Sequence, residues 1–129
     1  MEKRLINPWY WQDGRSYVQA VEVKQITGTL YCSGQAAVDA DGRSSTADMR
    51  TQLAQAIDNL EQVIREADYE CRNIVRLTVY TTSTDAFMIS FDLLQAWIAK
   101  HSIQQATTLL EVNRLFETLQ VELEATVVK

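Results

Sequence analysis

The sequence predicts an α+β fold of order β-β-α-β-α-β-β, with both helices on one face of the sheet. Three observations carry this. Two segments repeat apolar residues at spacings of three and four, several short segments alternate apolar with polar residues, and 129 residues contain only four Gly and one Pro. Two helices can cover one face of such a sheet and no more.

From Tyr17 to Val23 the run Tyr-Val-Gln-Ala-Val-Glu-Val has strand propensity, and Gly28 to Ser33 gives a second short strand. Lys24 to Thr27 would then be a hairpin loop. Gly34 to Ser45, with Asp41-Gly42 as a turn, leads to a helix capped by Ser45 or Thr46. In that helix Met49, Leu53, Ala56, Ile57, Leu60, Ile64 and Ala67 form one apolar stripe, and Arg50, Gln52, Asp58 and Glu61 are expected to face water. Ile74 to Thr82 reads as a strand with Val75, Leu77 and Val79 on one face. Ser83-Thr84-Asp85 caps a second helix running to about His101, with Phe87, Phe91, Leu94 and Ile98 as its stripe. Two closing strands follow. One spans Ala106 to Val112, and in the other, Leu119 to Val128, Leu119, Val121, Leu123, Ala125 and Val127 alternate with Gln120, Glu122, Glu124 and Thr126.

The uncovered sheet face would carry Tyr17, Gln19, Thr78, Tyr80, Thr107, Leu109 and Glu122, depending on register. That mixture is too apolar to be plainly solvated and too polar for a sealed core, which points to a self-association surface with wet clefts. No linker, repeat or composition break appears, so residues 1–129 are expected to form one domain.

Composition narrows function. Twelve basic against 17 acidic residues leave a net charge of −5, and no Lys/Arg cluster offers phosphates a basic face, which argues against nucleic acid. No secretory h-region develops after Met1 and no window approaches a membrane span, so a soluble, cytoplasmic protein is expected, with Cys32 and Cys71 as buried, reduced thiols.

Spacing alone yields no catalytic constellation. His101 falls where a helix ends and suits capping. One His and two distant Cys make no zinc set. Asp39-Ala40-Asp41-Gly42 faintly resembles a calcium loop but lacks its first ligand and its closing Glu, so a turn is the better reading. Neither a nucleophile elbow nor a phosphate loop is present. Trp9, Tyr10 and Trp11 form an aromatic cluster open to two readings, packing of the N-terminal segment or ligand stacking. Glu122 and Glu124 share one side of the last strand, either as a solvated face or as part of a site.

Tyr17-Val18-Gln19-Ala20-Val21, Tyr31-Cys32-Ser33-Gly34-Gln35, Gln52 to Leu60, Val75 to Tyr80, Asp85-Ala86-Phe87 and Val121 to Ala125 together resemble the Rid family, the YjgF-like reactive-intermediate deaminases. The match runs in order from about Tyr17 to Val127. The resemblance implies a chorismate-mutase-like fold, a homotrimer with the sheets inward, and three small-molecule clefts at the subunit interfaces. It also implies hydrolysis of enamines and imines such as 2-iminobutanoate, with neither cofactor nor metal. Carried over by position, the family's tyrosine falls on Tyr17, its serine on Ser33 and its glutamate on Glu122, the last as the catalytic group.

Two positions depart from the family. Its carboxylate-clamping arginine falls on Thr107 and its second-helix asparagine on Phe91, while Arg114 matches a separate family arginine. A threonine donates one neutral hydrogen bond where a guanidinium donates a charged fork. The change argues against classical 2-imino-acid deamination, unless Arg15 reaches the cleft from the adjoining loop. The expected function is small-metabolite binding, with Tyr17, Ser33, Thr107 and Phe91 contacting the ligand, coupled to hydrolysis of an imine or related C–N bond. The alternative is a non-enzymatic ligand-binding or chaperone-like trimer.

Overall fold

A computed structural model covers Met1–Lys129. Strands β1 (Glu2–Ile6) and β2 (Ala20–Lys24) form a two-stranded antiparallel sheet of their own. The main sheet has the order β3-β7-β5-β6, with β3 at Thr29–Tyr31, β5 at Ile74–Thr81, β6 at Ala106–Glu111 and β7 at Val121–Val128; the two-residue β4 (Gln35–Ala36) also pairs with β7. Helix α1 (Met49–Glu66) and the pair α2 (Thr84–Ile89) and α3 (Phe91–His101) pack on one face. The α+β class with helices on one side is therefore what the sequence predicts.

The core lies between that face and the helices. Leu53, Leu60 and Ile64 of α1 meet Leu77 and Val79 of β5 and Val121, Leu123, Ala125 and Val127 of β7, all buried, with Phe87 closing one end. The β5–β6 pair is parallel, so its crossover must pass over the sheet, and α2 and α3 are that crossover.

Several local expectations need correction. The hairpin between Tyr17–Val23 and Gly28–Ser33 does not form: β2 begins at Ala20 and pairs with the unpredicted β1, while β3 pairs with β7. Glu2–Ile6 escapes pattern reading because its strand is mostly solvent-facing on both sides. The cap of α1 is Asp48, not Ser45 or Thr46, with its carboxylate accepting from the Thr51 amide at 2.9 Å. Ser90 is buried and divides the second helix in two. The last strand starts at Val121, two residues late.

Gln52 does not face water. It is fully buried, its Nε2 donates to the carbonyls of Ala47 (3.0 Å) and Thr118 (3.2 Å), and its Oε1 accepts from the Gln120 amide at 2.8 Å. One amide side chain thus ties the entry to α1 to the entry to β7. No helix is long and apolar enough to cross a membrane.

Candidate functional site

Register decides which predicted site residues meet. Thr107 is paired with Leu77 and Leu109 with Val79, and both β5 residues point into the helical layer. Thr107 and Leu109 therefore turn toward the helices, not onto the uncovered face. Glu122 lies between buried Val121 and Leu123, so alternation sends it to the opposite face, where its strand partner is Tyr80. A single strand's sequence shows alternation but not which alternate set a neighbouring parallel strand matches.

A cavity of about 450 Å³ opens between the β6 edge and the α2–α3 crossover. Tyr17, Phe91 and Thr107 line it together, with Phe87, Leu94 and Ile98 as apolar wall. Phe87 and Phe91 pack with ring centroids 5.9 Å apart. Arg15 reaches this cavity and is its one charged lining residue.

The segment that presents Arg15 and Tyr17 is held by amides. Arg15 ends a single 3-10 turn, Asp13–Arg15, and Ser16 follows in the left-handed region at φ 62°. Gln105 Nε2 donates to the Ser16 carbonyl at 2.9 Å, and Gln95 Nε2 donates to the Gly14 carbonyl and the Ser16 hydroxyl, each at 3.1 Å. Beneath them, fully buried Gln12 donates to Asn7 Oδ1 at 3.1 Å and accepts from Gln19 Nε2 at 3.1 Å. Gln105 Oε1 is left buried without a partner, a cost that this loop geometry carries. Sequence reading missed Gln12, Gln95 and Gln105, whose one signal is a high density of Gln near the two ends of the site.

The expected donation from Thr107 to a ligand is also corrected. Its hydroxyl donates to the Leu77 carbonyl at 2.8 Å, which commits its one hydrogen within the fold. Inside the cavity that oxygen can only accept.

Ser33 and Glu122 lie elsewhere. Ser33 is exposed, and its carbonyl accepts from its neighbour Gln35 Nε2 at 3.3 Å. Glu122 borders a separate groove with Gly34, Gln35, Gln55, Asn59 and Phe116. Neither carboxylate oxygen of Glu122 has an ion-pair or hydrogen-bond partner within the chain. Asn59 braces this groove, donating to the carbonyls of Ala36 and Val38 at 2.8 and 2.9 Å. On the same sheet face as Glu122, Tyr80 donates to Glu124 at 3.1 Å, and that bond holds the phenol above its usual range.

The other candidates resolve into structure. His101 ends α3, stacks edge-on against Trp97 and sits 3.5 Å from Glu61 without hydrogen-bond alignment. Asp39 Oδ1 accepts from the amides of Asp41 and Arg43 at 2.9 Å each, which makes the acidic turn self-satisfied. No three His, Cys, Asp or Glu side chains converge as metal ligands. Trp9 and Trp11 stack at 6.3 Å, and Trp11 meets Tyr17 edge-on at 6.5 Å, so the aromatic cluster adjoins the cavity mouth.

Comparison with known proteins agrees with this architecture. The Conserved Rid Protein Family structure YyfB from Yersinia pestis superposes with a TM-score of 0.87 and 28% identity over all of both chains. The YjgF product of Escherichia coli gives 0.72 and 28%, covering 88% of this chain and 87% of that one. In sequence, the Escherichia coli 2-iminobutanoate/2-iminopropanoate deaminase is 28% identical over 114 residues, covering 88% of this chain and 87% of its own. A RutC family protein of Aquifex aeolicus is 28% identical over 113 residues, 88% of each chain. The family model described as Endoribonuclease L-PSP matches residues 13–129, and the chain belongs to that family, the YjgF/Rid proteins.

Proposed function

We propose that the protein works as a homotrimer whose clefts, each between neighbouring chains, bind a small metabolite and hydrolyse an imine-type C–N bond. The observation that carries this is the split site. Tyr17, Phe91 and Thr107 line a cavity on the helical side of the sheet, while Glu122 and Gly34 border a groove apart from it. Each chain thus holds both halves and joins neither, and a cyclic assembly can place one chain's Glu122 against the next chain's cavity. The relatives named as 2-iminobutanoate/2-iminopropanoate deaminases support the reaction class.

In the reaction water adds to the imine carbon, the C–N bond then breaks, and a carbonyl compound and ammonia leave. Glu122, unpaired within its own chain, takes a proton from the attacking water and returns it to the departing nitrogen. Tyr17 and the acceptor oxygen of Thr107 orient the ligand, Ser33 flanks it from the neighbouring chain, and Phe91 shapes an apolar wall. The reaction draws on neither a cofactor nor a metal. We place the protein in the cytoplasm, a reading supported by two buried thiols without a disulfide, and outside nucleic-acid binding, supported by its charge of −5.

The test couples an amino-acid oxidase to the purified protein and follows imine decay. Carbonyl release faster than background, lost in Glu122→Gln, is the expected result; no acceleration across several imines removes the hydrolase. A second reading, binding without turnover, draws on the committed hydroxyl of Thr107 and the apolar wall. It predicts ligand-induced thermal stabilisation with no product.

A further inference from the structure

We propose that Arg15 is the anion-recognition group of the cavity, taking the carboxylate of a monoanionic ligand whose bulky apolar body fills the space behind it. The inference rests on the cleft being a metabolite site, and it adds which class of metabolite fits.

Arg15 is the one charged residue on the lining and has no acidic partner or hydrogen-bond acceptor within the chain, so its five N–H donors are free. Its guanidinium lies 5.1 Å from the centroid of the Trp11 ring. Such a cation–π seat fixes the plane of the fork without using a donor. The ring is itself braced by Trp9 and Tyr17. Ser16, at φ 62°, is a strained residue held by the Gln95 and Gln105 bonds, so the loop keeps its arrangement before any ligand arrives.

The remaining chemistry specifies the occupant. Thr107 has no hydrogen to give, and the other uncommitted side-chain donors on the lining, the hydroxyls of Ser16 and Tyr17, are neutral, so Arg15 is the one charged donor a carboxylate meets there. Val79, Phe87, Phe91, Leu94, Ile98 and Leu109 make the interior apolar, and about 450 Å³ admits a body the size of a phenyl or indole group. One guanidinium at the mouth suits one negative charge, and a dianionic phosphate would need further donors. Three-carbon acids would satisfy the mouth and leave the interior unfilled.

Isothermal titration of the full chain with 3-phenylpropanoate, its neutral amide 3-phenylpropanamide, propanoate and phenyl phosphate tests this. The acid is expected to bind about tenfold or more tighter than the amide, since charge-assisted bonds are roughly twice as strong as neutral ones. In Arg15→Gln that gap closes while amide binding persists. Trp11→Ala narrows the gap without closing it, and propanoate binds more weakly than either phenyl compound. Equal affinity for acid and amide, a gap that survives Arg15→Gln, no binding of any probe, or preference for phenyl phosphate over the acid each overturns the assignment. Failure of the hydrolase shows separately, as no acceleration by the wild-type protein in the oxidase-coupled assay.

Discussion

The side chain of Glu122 lies directly over the backbone of Gly34. An ideal Cβ at residue 34 would sit 2.5 Å from Glu122 Cδ and 2.8 Å from its Cγ, inside any allowed contact. Gly34 is therefore the space that Glu122 occupies. In Gly34→Ala the carboxylate, being the free end of a flexible side chain, swings aside while β4 and β7 stay paired. Thermal unfolding should remain close to wild type and imine hydrolysis should fall on the order of a hundredfold, as for a misplaced catalytic group. Unchanged turnover would show that the observed seat of Glu122 is not the one used.

Gln52→Met should destabilise the protein by about 1–3 kcal/mol for each polar group it orphans. Volume and helix propensity are nearly kept, so the loss isolates the bonds to Ala47, Thr118 and Gln120. Urea unfolding reads it as a lower midpoint with little change in slope.

Asp48 contributes a pH-dependent cap. Its hydrogen bond to Thr51 holds the carboxyl below its ordinary 3.8. A depressed folded value means the contribution is complete above the ordinary value and is lost as pH falls through the lower folded one. Asp48→Asn keeps an acceptor for the Thr51 amide and removes the titration. The acid limb of melting temperature against pH, measured from pH 6 down to the carboxylate range, should be shallower in this variant than in wild type.

The two thiols should be silent in the native state. Cys32 and Cys71 are 6% and 7% exposed, and burial raises both, Cys71 to about 11. At pH 8 Cys71 is then about one part in a thousand thiolate. A disulfide exchange reagent should label both cysteines in guanidinium and neither promptly without it.

The stripe from Met49 to Ile64 was legible because burial on one side of a helix imposes a period, and the same holds for Val121 to Val127 on a strand. Gln52 was not, since periodicity assigns polar residues to water and cannot see two carbonyls and an amide converging inside. The residues of the proposed site could be named by resemblance, but their arrangement could not. Which face Thr107 takes depends on a parallel register set by the length and packing of the α2–α3 crossover. The reach of Arg15 depends on Ser16 adopting a left-handed conformation and on glutamines some 80 to 90 residues away in sequence.

The apolar core begins, along the chain, at Cys32, and the family match begins at residue 13. Trp9, Trp11 and Gln12, which steady the rim of the cavity, precede both. The inner wall of the cavity, Val79, Phe87, Leu94 and Ile98, is thus part of the folding core, whereas its aromatic rim at Trp9 and Trp11 is not. Exchanges at the exposed Trp9 and Trp11 can therefore alter the rim with little penalty in folding, a freedom that fully buried Gln12, bonded to Asn7 and Gln19, does not share.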